Sequence, residues 1–145
     1  MFHYKIINKP NINIKTKTID NIFKTIFNII DKKQNGTLNI IFLDNDGIKN
    51  LNKNYRKIDK TTDVLSFHYY DDFSNIKKEE ISWEIVMSLS KIIEQWKTYW
   101  LWSEKEFYKL LIHSILHILW YDHENNWDYK LMQEYENIIY NKVFD

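Results

Sequence analysis

Cysteine is absent from this 145-residue chain. That excludes a disulfide framework and any thiolate metal site, so a metal here has to be held by His, Asp or Glu. The chain also has no long apolar run. Its most apolar stretch, Leu110 to Tyr121, is shorter than the ~20 residues a membrane span needs and contains two histidines. The start, Met1-Phe2-His3-Tyr4-Lys5, turns polar too early for a secretory signal. The expectation is a soluble, cytoplasmic protein. Charge of either sign is not in excess: 20 Lys and Arg balance 20 Asp and Glu. Overall basicity therefore does not advertise nucleic acid, and an RNA or DNA partner would need a local basic face. Arginine is nearly missing, Arg56 being the only one, and glycine is scarce at two residues, while tryptophan reaches six.

What is present is the material of a folded core. Hydrophobic residues make up 44% and aromatics 17%, far above a disordered composition, and the length suits one domain spanning residues 1–145. Tyr4 to Ile7 reads as a first strand, closed by Lys9-Pro10. Ile19, Ile22, Phe23, Ile26, Phe27 and Ile30 recur at helical spacing, with Thr18 or Asp20 as N-cap, and Asn35-Gly36 breaks that helix. Leu38 to Leu43 suits a buried strand. Asp44-Asn45-Asp46-Gly47 resembles a calcium loop, but with Gly47 sixth the twelfth position is Lys53 rather than Glu, so the segment is a turn and N-cap for a short helix carrying Ile48, Leu51 and Tyr55. Strands over Val64 to Phe67 and Glu84 to Ser88 follow, then helices over Leu89 to Lys97, Glu104 to Leu119 and Asp128 to Val143. The last has an apolar stripe of Leu131, Tyr135, Ile138 and Ile139. Such interspersed elements predict an α+β (mixed α/β) fold.

Two groups of residues can carry chemistry. His113 and His117 are four apart in a helical pattern, so both rings leave one face and can share a metal at about 2.0–2.1 Å. His123 follows six residues on, past the expected helix end, where a turn can fold it back. Three histidines leave a fourth position open, the arrangement of a catalytic site. The plain alternative is ordinary histidines on a half-buried helix. Ser114 stands where the metalloprotease helix has its general-base Glu, which excludes that motif. Asp122 and Glu124 are nearby carboxylates that can orient ligands or simply face solvent. The second group is Asn54-Tyr55-Arg56, Asp59 and Thr61 to Phe67. A guanidinium offers planar donors suited to phosphate, though Arg56 can equally pair with Asp59 or Asp63.

These segments together resemble the YbeY family, bacterial endoribonucleases of ribosomal RNA maturation. The resemblance is carried by Leu51-Asn52, Tyr55-Arg56, Asp59, Thr62-Asp63-Val64-Leu65-Ser66-Phe67, Glu84-Ile85-Val86-Met87-Ser88 and, most strongly, His113 to His123 with Asp128 and Met132. It implies one zinc ion on His113, His117 and His123, with Arg56 engaging RNA phosphate. It also implies a mixed sheet of about four strands with about five helices. The implied activity is single-strand endoribonuclease action in 16S rRNA 3′-end maturation and ribosome quality control. The implied partners are single-stranded rRNA, the 30S ribosomal subunit and assembly factors, with a monomer favoured. Two other readings compete: a non-catalytic ribosome-assembly factor with a structural metal, and a metal hydrolase of another substrate class.

Trp83, Trp96 and Trp120 depart from the family, standing where it usually has glycine. At a helix end, as expected near Trp120, glycine takes the left-handed conformation cheaply. One account is a gene that uses UGA for glycine, read here as tryptophan; the other is plain divergence. Ser114, at another usual glycine, requires the second. Mass spectrometry of the native protein separates them.

Overall fold

Leu38, Ile40 and Phe42 alternate with Asn39 and Ile41 along β2 (Thr37–Leu43), and nearly all of them are buried. A strand so placed lies inside a sheet, covered on both faces. In the computed structural model β2 has β1 (His3–Ile7) on one side and β4 (Ile81–Ser88) on the other, both parallel to it. β3 (Val64–His68) runs antiparallel along β4, giving the order β1-β2-β4-β3. The structure describes residues 3–9, 14–30, 36–57, 64–68, 77, 80–88, 90, 103–119 and 129–144; at Arg56, His68, Ser103, Glu104, Glu106 and Tyr129 it describes the backbone.

Strand alternation sorts the side chains into two layers. Leu38, Ile40, Phe42, Trp83, Ile85 and Met87 join one cluster with three helices: α1 (Thr16–Ile29), α3 (Ser103–Leu119) and α4 (Tyr129–Phe144). Ile41, Leu43, Leu65, Phe67 and Val86 join a smaller cluster with Ile48 and Leu51 of α2 (Asn45–Arg56). Among the described residues α2 is thus the helix on the second face. The α+β expectation holds, with four strands and four described helices. The further helix expected over Leu89 to Lys97 lies outside the described residues except for Ser90, which is helical.

Local details differ from expectation where tertiary contacts decide. α1 starts at Thr16, before either expected cap, and Lys15 caps it without a side-chain bond. Instead the Lys15 carbonyl accepts from the Thr18 and Ile19 amides, at 3.1 and 3.2 Å, and the Lys15 amide donates to Tyr108 Oη of α3 at 2.9 Å. Asp44 does cap α2, its Oδ1 accepting from Gly47 N at 2.8 Å, as the turn signal implied. Gly36, at φ +89°, makes the left-handed turn into β2. β4 begins three residues before Glu84, across a register shift in which Thr37 opposes Ile81 and Leu38 opposes Trp83. Trp83 is wholly buried in the larger cluster, whereas Trp96 and Trp120 lie outside the described residues. On α4, Ile139 and Met132 are buried while Leu131 and Ile138 face outward, so only half of the expected stripe points to the core.

Candidate active site along the outer edge of β3

α3 packs against both β3 and α4. Its inner residues Leu111, Ile112, Ile115 and Leu116 are buried at 1% exposure or less. With those positions fixed in the core, His113 and His117 leave the helix on another face, where both meet β3 across a shared cleft. Their rings lie nearly parallel, 11° between planes and 6.4 Å between centroids, one turn apart as the four-residue spacing requires. His113 is partly buried and His117 exposed.

The two histidines open onto a cleft of about 500 Å³. α3 contributes His113, Ser114 and His117; β3 contributes Val64 to Phe67; α2 contributes Tyr55. Consecutive residues of β3 line it because the cleft follows that strand's outer edge, which has no strand neighbour among the described residues. Ser114 is 1% exposed, and its Oγ has no hydrogen-bond partner among the described residues.

Glu136 of α4 completes the geometry. Its Oε1 contacts His113 Nδ1 across the α3–α4 packing. A carboxylate in its ionised form only accepts hydrogen bonds, so Nδ1 is the donor in this contact, and in the neutral ring the Nε2 lone pair is then the one open to a ligand. Metal-binding histidines characteristically have such a partner on their other nitrogen. Glu136 lies 23 residues beyond His113, so no local spacing in the sequence links the two.

The expected site residues are therefore brought together in part. His113 and His117 share one cleft. His123, Asp122, Glu124, Asp59 and Asp63 lie outside the described residues. Arg56 is the last residue of α2, directly after Tyr55 of the cleft. Lys57 caps that helix in the left-handed conformation, at φ 60°, with its amide bonded to the Lys53 carbonyl at 3.1 Å. The described donors fit a zinc-like ion: two imidazoles on one helix face, one of them oriented by a carboxylate. Among the described residues no group of three His, Asp or Glu converges.

A family model for Endoribonuclease YbeY matches residues 5–144. A Thermoanaerobacter sp. (strain X514) protein named Endoribonuclease YbeY is 38% identical over 138 residues, covering 88% of this chain and 86% of that one. The protein of that name from Acholeplasma laidlawii is 35% identical over 129 residues, 89% of each. Among solved structures, the solution structure of a Thermotoga maritima protein superposes with a TM-score of 0.60 at 26% identity, covering 97% of this chain and 89% of that one.

Proposed function

This chain belongs to the endoribonuclease YbeY family, and on that premise we propose that it is a zinc-dependent endoribonuclease. Its substrate is single-stranded RNA, its task 16S rRNA 3′-end maturation and ribosome quality control. The observation that supports the metal centre is His113: it lines the cleft beside His117 with Nδ1 held by Glu136, which leaves Nε2 as its remaining ring nitrogen. His123 supplies the third nitrogen. The proposed place of work is the cytoplasm, on the small ribosomal subunit; no helix among the described residues is long and apolar enough to cross a membrane. The partners on this reading are the 30S subunit and its assembly factors, met by a monomer.

The chain's own residues divide the work. His113, His117 and His123 hold the ion, and Glu136 fixes the tautomer and ring plane of the first. A zinc ion bound there supplies Lewis acidity, which lowers the pKa of water to around 7 and neutralises a phosphoryl oxygen. Arg56, at the end of α2, meets the phosphate with planar donors and stabilises charge that grows in the transition state. Ser114 cannot act as the carboxylate base of a metalloprotease helix; the attacking oxygen is either water or the RNA's own 2′-hydroxyl, and an ion held by the histidines would make the loss of its proton easier.

The test is metal content joined to cleavage. Purified protein should hold about one zinc per chain and cut a single-stranded rRNA fragment; Arg56→Glu should keep the metal and lose cleavage. A protein with stoichiometric zinc that binds the 30S subunit but cuts no RNA overturns the nuclease reading in favour of an assembly factor. An Arg56→Glu variant that cleaves normally removes the phosphate role.

A further inference from the structure

Ile48, Leu51 and Tyr55 form one stripe of α2 at helical spacing, but only the first two are covered. Ile48 is fully buried and Leu51 packs with it on the sheet. Tyr55 overhangs the edge of β3 and is 67% exposed, the most exposed of the large apolar side chains described. It is nevertheless held in place: Phe67 meets it edge-on, with centroids 5.3 Å apart and planes at 68°. Both rings line the cleft that receives His113 and His117. An aromatic face left open to solvent, braced by a second ring, beside a candidate phosphodiesterase centre, is a stacking platform.

We infer that Tyr55, braced by Phe67, stacks against an unpaired nucleobase next to the scissile phosphate and so selects single-stranded RNA. The inference rests on the RNA-cleaving reading above and names how that site recognises its substrate. In a duplex each base is stacked on both sides and turned inward, so its face cannot reach a protein ring. A splayed single strand offers that face freely. Every base has such a face, so Tyr55 confers preference for strandedness rather than for sequence.

The test uses the full chain and a single-stranded RNA oligomer, together with a set of the same oligomer carrying one abasic nucleotide at each position in turn. Removing the ring by Tyr55→Ala should weaken binding roughly 10- to 100-fold, the loss typical of one stacked base, while Tyr55→Phe should bind like the parent. The loss should be the same at low and high salt, because stacking releases no counterions, whereas a lost phosphate contact changes the salt slope. One abasic position should weaken binding to the parent and have no further effect on Tyr55→Ala. Tyr55→Leu, which keeps apolar bulk without a ring, should behave like Tyr55→Ala; if it binds like the parent, stacking is wrong. Equal abasic losses in the parent and in Tyr55→Ala also overturn the inference. Failure of the parent to cut any oligomer overturns the nuclease reading instead, and the binding comparison remains informative by itself.

Discussion

The His113–Glu136 contact leads to a quantitative expectation. Replacing Glu136 by Ala removes the acceptor on Nδ1, so the ring is free to rotate and to move its proton to Nε2, where it blocks a metal. Loss of such a partner typically costs 10- to 100-fold in metal affinity. Here the His113 and Glu136 side chains are 40% and 26% exposed, so water replaces part of the lost interaction and screens the rest. The effect should sit near the lower end, about tenfold, or roughly 1.4 kcal/mol. Glu136→Gln should lose less, because its amide oxygen can still accept from Nδ1. Metal affinity measured by competition with a chelator reads this without reference to activity, and thermal unfolding of the metal-free variants separates it from a loss of stability. Unchanged zinc affinity in Glu136→Ala, with the fold intact, would refute the reasoning.

Three further predictions concern the scaffold. Burial, then the hydrogen bond to Asp20 at 3.1 Å, raise the Tyr4 phenol from its ordinary 10.0 to about 12. Below pH 10 both folded and unfolded chains keep that proton, so stability does not depend on it; between about 10 and 12 the unfolded chain loses it first and stability falls. Tyr4→Phe should show a smaller alkaline loss in denaturation midpoints measured against pH, and an identical profile would show that the raised phenol contributes nothing. Gly36→Ala should destabilise by about 1–2 kcal/mol or more, because φ is +89° and an added Cβ would lie 3.0 Å from the Glu80 carbonyl oxygen; an unchanged urea midpoint contradicts this. Lys57→Gly should stabilise by about 1 kcal/mol by relieving the left-handed cap of α2, and a lower melting temperature would argue that the Lys57 Nζ bond to the Asn54 carbonyl, at 3.2 Å, matters more.

Much of the fold was legible because it depends on patterns local in sequence. β2 announced itself as an apolar run, and Asp44-Gly47 named both the turn and the cap it makes. The start of α1 did not: no capping side chain marks it, and what fixes it is Tyr108, 93 residues away. The first residues of β4 were missed because a register shift interrupts the alternation at Ile81 and Ser82. At the site, the four-residue interval of His113 and His117 was readable, since one helix sets it. Glu136 was invisible for the opposite reason, its contact depending on how α4 packs against α3. Tyr55 read as an apolar position of a helix and as the neighbour of Arg56, with no role of its own; its contact with Phe67 and its place on the cleft come from how α2 packs beside β3.

The central claim is that His113 and His117 belong to a metal centre that cuts RNA. The most direct measurement compares zinc content and cleavage of a single-stranded precursor rRNA fragment for the parent chain and His117→Ala. The parent should hold the metal and cut, and chelation should abolish cutting; His117→Ala should lose both metal and activity while its circular dichroism is unchanged. Full cleavage by a folded His117→Ala, or by the parent stripped of metal, would contradict the account.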